Sequence, residues 1–136
     1  MPRPGNQRLT IGLTARGLFL YYVVKMREAH SLGEFEQVVL LAILRLGDNA
    51  YGVTIAAEIS ACTHRDPAPG ALYTTLDRLE DKGLISSRLG DPTPRRGGRA
   101  KRYFTLNAKG LVAITRAQQS YRRLLEGCEL PGPTHA

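Results

Sequence analysis

The sequence predicts a mainly α-helical fold with a small β-hairpin, arranged as a winged helix-turn-helix domain followed by a C-terminal dimerisation helix. Three observations predict this architecture. Apolar residues recur at helical spacing in three successive segments between residues 31 and 83, two short alternating segments come next, and a further amphipathic segment follows them. Three helices followed by a hairpin is the element order of winged helix-turn-helix domains.

Length and composition indicate one packed domain with a basic surface. The chain has 136 residues, of which 43% are hydrophobic, and its formal net charge is +7. Such a charge suits a polyanionic partner or an anionic surface. Residues 1–33 carry +4 of this excess, because one acidic residue, Glu28, stands against five basic ones: Arg3, Arg8, Arg16, Lys25 and Arg27.

Residues 1–30 are interpreted as an N-terminal extension outside the domain, because Pro and Gly interrupt any helical pattern before Met26. Two explanations stay open: a basic arm that contacts DNA phosphates, or a misassigned start with true initiation at Met26. The apolar stretch GLFLYYVV at residues 17–24 is far shorter than the ~20 residues that span a membrane. Gly12 and Gly17 also make the N-terminal segment a poor interfacial helix, so no membrane partner is expected.

The first two helices are predicted from their ends and their apolar spacing. Ser31 and Glu34 form a candidate capping box, and Gly47 ends the first helix. The second helix is expected from Tyr51 to Cys62, before Asp66-Pro67. The residues expected to face inward are Phe35, Val38, Val39, Ala42, Ile43 and Leu46 in the first helix, and Val53, Ala56, Ile59 and Ile55 in the second.

The third helix is expected from Pro69 to Gly83, because proline suits a first turn and glycine a helix end. Its apolar stripe is Leu72, Leu76 and Leu79, and the opposite stripe is Thr74, Asp77, Arg78 and Asp81. Tyr73 lies on one flank, and Thr75 and Lys82 lie on the other. We expect Asp77 and Asp81 to form surface ion pairs with Arg78 or Lys82.

The remainder of the chain predicts a hairpin and a last helix. Residues 84–89 and 101–106 form the strands, and Asn107 caps a helix that ends near Glu126, before Gly127. The winged domain therefore spans residues 31–107, the dimerisation helix 108–127 and a flexible tail 128–136. The candidate dimerisation residues are Leu111, Ile114, Gln118, Tyr121 and Leu125. Packing of this stripe within the same chain, and a solvent-facing Gln118, are the alternatives.

The hairpin tip concentrates positive charge. Five cations fall within eight residues that contain no acid, around Gly97-Gly98: Arg95, Arg96, Arg99, Lys101 and Arg102. This pattern favours contacts with DNA phosphates over a solvated charge run, which usually alternates in sign. On the third helix, Thr74 and Arg78 are candidates for base recognition. Tyr73 either donates its hydroxyl to a phosphate or packs against the second helix.

Three segments occur in order within residues 31–110: LGEFEQVVLLAILRLGDNAYGVTIAAEIS, GALYTTLDRLEDKGLI and GDPTPRRGGRAKRYFTLNAKG. Together they resemble the PadR family of bacterial transcriptional regulators. The resemblance implies a cytoplasmic dimer that binds double-stranded operator DNA and usually represses transcription until a ligand or another signal releases it. It implies a DNA surface of Gly70, Tyr73, Thr74, Thr75, Arg78, Arg95, Arg96, Arg99, Lys101 and Arg102.

The resemblance also limits where an effector could bind. The single C-terminal helix is too short for a sensor domain, so a small-molecule effector would bind at the dimer interface. No catalytic motif, phosphate-binding loop or metal-ligand spacing is present, so neither an enzyme nor a cofactor is expected. Cys62 and Cys128 are expected to be buried free thiols. The alternative function is a winged-helix protein-interaction module without specific DNA binding.

Overall fold

The computed structural model describes residues 16–20, 31–91 and 100–132. The contacts between residues divide the chain into two compact units, Met1–Ser31 and Leu32–Ala136. Residues 16–20, in the first unit, lie in a helix. The rest of the expected N-terminal extension lies outside the described residues, as do residues 92–99 of the hairpin tip.

The second unit has the element order that the sequence predicts. Its helices are α1 (Glu34–Leu46), α2 (Gly52–Thr63), α3 (Pro69–Asp81) and α4 (Ala108–Leu125), and its strands are β1 (Ile85–Leu89) and β2 (Arg102–Leu106). A 3₁₀ turn, Gly47–Asn49, connects α1 to α2. The predicted fold class, a mainly helical winged helix with a two-stranded hairpin, is confirmed.

The start of α1 differs from the prediction. Gly33 is the N-cap, and its N–H donates to the Glu36 carboxylate at 3.1 Å. The proposed Ser31–Glu34 capping box is therefore wrong. Glu36 also forms a partly buried ion pair with Lys82, whose Nζ lies 2.8 Å from Oε2, and this pair connects the start of α1 to the end of α3.

Helix α1 lies at the centre of the domain, in contact with α2, α3, β2 and α4. Its predicted core residues Val39, Ala42 and Ile43 are buried, and Leu40 is fully buried as well. Leu40 lies outside the predicted stripe because α1 is covered on several sides, so its apolar face is wider than one amphipathic stripe. The predicted end at Gly47 is confirmed by a φ of +57°.

Helix α2 exposes one of the residues that were expected inside. Val53 is 70% exposed, whereas Ile55 and Ile59 are buried, so the inward placement of Val53 is wrong. Thr54 sets the first turn: its Oγ1 accepts a hydrogen bond from the Tyr51 N–H at 3.0 Å and donates to the Asn49 carbonyl at 2.6 Å. This cap turns Val53 outward.

The hairpin is attached to the helical core at its base. Ser87 pairs with Phe104 and Leu89 with Arg102 in an antiparallel register. The Phe104 N–H donates to the Ala50 carbonyl at 2.8 Å, and its ring is fully buried. This anchor fixes where the hairpin leaves the domain.

Helix α4 begins against the base of the hairpin. Asn107 is the N-cap residue as predicted, but its amide donates to the Gly83 carbonyl at 3.1 Å instead of capping the helix. A Cβ at Gly110 would overlap the Leu84 carbonyl oxygen, so the close approach requires glycine here. The two cysteines do not take part in the core: Cys62 and Cys128 are exposed, which corrects the prediction of buried thiols.

Candidate nucleic-acid interface

Helix α3 separates its buried and exposed faces sharply. Leu72, Leu76 and Leu79 lie in the core as predicted, and Thr74, Asp77 and Arg78 are exposed. Thr75, which the family resemblance placed on the DNA surface, is only 6% exposed, and its hydroxyl donates to the Ala71 carbonyl at 2.8 Å. Its side chain is therefore not part of the exposed face.

Three of the predicted residues form a stripe along the exposed face. Gly70, Thr74 and Arg78 follow one another at intervals of four residues and are all exposed. Within the described ranges, the Arg78 guanidinium has no ion pair or hydrogen-bond partner. A Cβ at Gly70 would meet no atom of the described residues within 4 Å, so packing against them does not require glycine at this position.

Tyr73 has features of both roles that the sequence left open, packing against the second helix and exposure toward a phosphate. A Cβ on Gly52 would overlap the Tyr73 hydroxyl, so the phenol lies over the first residue of α2. The side chain is nevertheless 47% exposed. Packing against the second helix is therefore present, and part of the ring still faces solvent beside the Thr74 position.

The carboxylates of Asp77 and Glu80 on α3 form ion pairs with residues other than the expected ones. Asp77 and Glu80 both pair with Arg102 on β2, with a distance of 3.4 Å for Asp77, and Lys82 pairs with Glu36. The predicted pairing of Asp77 with Arg78 or Lys82 is therefore wrong. Arg102, which was predicted as one of the DNA-contacting cations of the hairpin, is therefore paired with two acidic side chains of α3.

Four side chains on the hairpin and at the start of α2 form a cation–aromatic row, defined as Arg88, Tyr103, Tyr51 and Lys101. The Arg88 guanidinium lies 4.8 Å from the Tyr103 ring centroid, and the Lys101 Nζ lies 4.4 Å from that of Tyr51. The two rings meet edge to face at 5.5 Å. The row holds two exposed cations on one face of the hairpin.

The sequence identified only Lys101 of this row. Arg88 pairs with Tyr103 across the strands, so a register prediction would have brought them together. Tyr51 could not be found in this way, because it joins the row through an isolated bridge to Tyr103. Arg95, Arg96 and Arg99 lie outside the described residues.

Helix α4 divides the predicted dimerisation stripe between two environments. Ile114 is 2% exposed and belongs to the core of its own domain, so its placement in an intermolecular seam is wrong. Leu111, Tyr121 and Leu125 are exposed, and Gln118 is partly buried. For Ile114, the structure favours the alternative of packing within the same chain.

Two adjoining clefts lie along α1 and α4. One, of about 250 Å³, is lined by residues that include Leu41, Leu44 and Gln118. The other, of about 230 Å³, lies beside Gly47 and the junction of β2 with α4. Leu44 and Leu111 line both clefts, so together they form one largely apolar groove.

One pair of surface charges perturbs titration. Arg45 donates to the Glu58 carboxylate at 2.6 Å, and this hydrogen bond, together with one from the Cys62 thiol, lowers the pKa of Glu58. Among the residues described, no group of His, Cys, Asp and Glu could hold a metal ion. None of the described helices is long and apolar enough to cross a membrane.

A three-helix core, an exposed third helix and an antiparallel hairpin define a winged helix-turn-helix DNA-binding domain. Within this class, the model of the transcriptional regulator PadR-like family matches residues 40–116, more than half of the chain. The chain therefore belongs to the PadR-like family and is a DNA-binding transcriptional regulator, not an enzyme.

Several solved PadR family structures are similar to this fold. A transcription regulator from hypervirulent Clostridium difficile is 26% identical, with a TM-score of 0.57 over 68% of this chain and 93% of that one. A PadR-like regulator from Bacillus cereus is 20% identical, with a TM-score of 0.57 over 75% and 90%. One from Eggerthella lenta is 20% identical, with a TM-score of 0.53 over 85% and 92%. No curated protein matches the chain significantly.

Proposed function

We propose that this regulator is a homodimeric repressor that binds a pseudo-palindromic operator in the cytoplasm, where a small-molecule effector or another signal releases it. The observation that carries the DNA-binding part is the exposed stripe Gly70, Thr74 and Arg78 on the third helix. Two such helices, one from each protomer, would enter successive major grooves about 34 Å apart.

The two parts of the interface have different roles in this proposal. Arg78 forks onto a guanine edge and Thr74 meets a neighbouring base or phosphate, so α3 carries the sequence preference. Gly70 lets the backbone approach the DNA. Its small size fits this role, since a Cβ there would contact none of the described residues. Lys101 contacts phosphates, and so do Arg95, Arg96 and Arg99, whose part rests on the charge of the sequence alone.

The dimer is proposed to form through α4. Beyond Ile114 the helix is mostly exposed, and its apolar side chains Tyr121, Leu124 and Leu125 are among the exposed large hydrophobic residues. The groove along α1 and α4 is a matching apolar surface on the second protomer. A two-fold dimer pairs identical surfaces, so each helix could contribute to the other protomer's groove.

An effector is proposed to bind in the same region. The cleft of about 230 Å³ beside Gly47 could hold a small, largely apolar molecule, with Asp48 as its charged neighbour. This cleft adjoins the part of the groove that the proposed dimer interface would fill, since Leu44 and Leu111 line both. Binding there would change the spacing of the two α3 helices, and with it the affinity for an operator of fixed half-site spacing.

Fluorescence anisotropy tests the proposal. Labelled DNA from upstream of the protein's own gene is titrated with protein at several salt concentrations, beside scrambled DNA of equal length. Tight binding to the first DNA, with affinity that falls steeply with salt, is the expected result. No binding to either DNA at low salt would contradict the proposal and favour a protein-interaction role.

A further inference from the structure

A closed network of hydrogen bonds joins the hairpin to the third helix. The Arg102 Nε donates to the Ser87 hydroxyl at 3.0 Å, and that hydroxyl donates to the Glu80 Oε1 at 2.8 Å. The Arg102 guanidinium also pairs with Glu80 Oε2, and Nη1 lies 3.4 Å from Asp77. Both oxygens of Glu80 and two sides of the guanidinium are therefore occupied inside the protein.

We propose that Arg102 is a positioning residue that fixes the wing, the hairpin formed by β1 and β2, relative to α3, and that it does not contact DNA. This proposal rests on the proposed DNA recognition by α3 and the wing. Arg102 lies one residue after Lys101, whose ammonium belongs to the cation–aromatic row. Rigid attachment of β2 to α3 therefore holds Lys101 at a fixed distance from Thr74 and Arg78.

The register of the hairpin supports a structural role for Arg102. Arg102 pairs with Leu89, and Phe104 pairs with Ser87, so all four side chains lie on the same face of the hairpin, and on that face Ser87 and Arg102 bond to side chains of α3. The guanidinium also lies 5.1 Å from the centroid of the buried Phe104 ring. Lys101 and Arg88 instead lie in the cation–aromatic row with Tyr103, whose side chain points to the other face.

The network depends on the shape of arginine as well as on its charge. A guanidinium has five donors in a plane, and here it uses separate nitrogens for Ser87, Asp77 and Glu80. A lysine ammonium at the same position would keep the charge but could not bond all three at once. Arg102→Lys therefore separates a positioning role from a phosphate contact, which either cation can make.

The first experiment compares Arg102→Lys with the wild type on a selected operator and on random DNA. We expect the ratio of the two affinities to fall by about three- to tenfold while the salt dependence stays unchanged, because no charge is removed. An unchanged ratio would overturn the proposal. Thermal unfolding of both proteins verifies that the variant is folded at the temperature of the assay.

A second pair of variants uses the sign of the charge effect. Glu80→Gln and Asp81→Asn each remove one negative charge from the same helix, and Asp81 has no side-chain partner among the described residues. If Arg102 instead served to bind phosphates, its release from Glu80 would let Glu80→Gln raise operator affinity at least as much as Asp81→Asn does. We expect Glu80→Gln, and not Asp81→Asn, to lower the operator-to-random ratio; equal ratios would contradict the positioning role.

A measurement without DNA keeps this proposal separate from the proposed function. We expect the Arg102 Nε–H in wild-type protein to exchange slowly with solvent by NMR, and to exchange faster in Glu80→Gln but not in Asp81→Asn. Equal exchange in all three proteins would overturn the network. If wild-type protein fails to distinguish operator from random DNA while the exchange differs as expected, the proposed function fails and the attachment of the wing to α3 stands.

Discussion

At the scale of single residues, Gly110 shows how little space separates α4 from the hairpin base. An added Cβ would overlap the Leu84 carbonyl, which is backbone and cannot rotate away. We expect Gly110→Ala to lower the free energy of unfolding by about 1 to 3 kcal/mol, by overpacking. Urea denaturation measures this loss.

The control for this prediction is Gly70→Ala, because a Cβ at Gly70 meets open space and the residue lies in a helix. It should keep or slightly increase stability. Equal destabilisation by both substitutions would contradict the packing argument for Gly110. The same Gly70→Ala protein is expected to bind operator DNA less tightly, because the added methyl group would stand between the backbone and the DNA.

Arg78 and Arg96 separate sequence recognition from phosphate binding. Arg78→Ala should cost about 1 to 3 kcal/mol on the operator and relax the preference at one base position, whereas Arg96→Ala should weaken all DNA about equally. Anisotropy with operator and random DNA measures both effects. Equal losses on the two DNAs for both variants would contradict this division of roles.

The Glu58 carboxylate gives stability a pH-dependent component. Its pKa in the folded protein lies below the ordinary 4.5, chiefly because Arg45 donates a hydrogen bond to it. A lowered pKa stabilises the folded state above pH 4.5, and this contribution is lost as the pH falls through the folded value. Wild type should therefore exceed Glu58→Gln in melting temperature near neutral pH, and the difference should vanish in acid.

At the scale of elements, the exposed half of α4 is the proposed dimer contact. Tyr121→Glu places a charge on its apolar side and should shift the dimer toward monomer, as measured by light scattering after size exclusion. Ser120→Glu adds the same charge at the preceding position, about 100° around the helix from Tyr121, and should disturb the dimer less than Tyr121→Glu does. The same molecular mass for both variants would contradict a dimer through this face.

The sequence predicted the helices and strands well because apolar spacing records burial directly. Its errors lie where tertiary contacts override local signals. Gly33 became the N-cap of α1 because Glu36, held by Lys82, also accepts the Gly33 N–H. Val53 faces solvent because the Thr54 cap sets the rotation of α2.

The candidate site was predictable for α3 and less so for the hairpin. The alternation of the segment KRYFTL already places Arg102 on the side of Phe104, apart from Tyr103, so strand periodicity indicates an inward arginine. Counting the positive charges of the hairpin tip grouped Arg102 with its neighbouring cations, and this periodicity was therefore missed. The partners of Arg102, by contrast, depend on how β2 lies against α3, which no local pattern specifies.

At the scale of the whole molecule, the winged fold presents an α3 stripe and a hairpin with cations on the opposite face from its attachment. Glu36 pairs with Lys82, and Asp77 and Glu80 pair with Arg102, so these two cations are engaged within the domain and the charge offered to DNA comes from other basic residues. A net charge of +7 then favours fast, salt-dependent association with any duplex, and the α3 stripe selects among sequences.

The most direct test of this account is selection of bound fragments from sheared genomic DNA of the organism that encodes the protein. A dimer that binds through α3 should enrich fragments that share a two-fold-symmetric sequence, with half-sites centred about one helical turn apart. Arg78→Ala should recover the same fragments with one position of each half-site relaxed. Recovery of fragments without a common sequence, or with a single unpaired half-site, would contradict recognition by a dimer through α3.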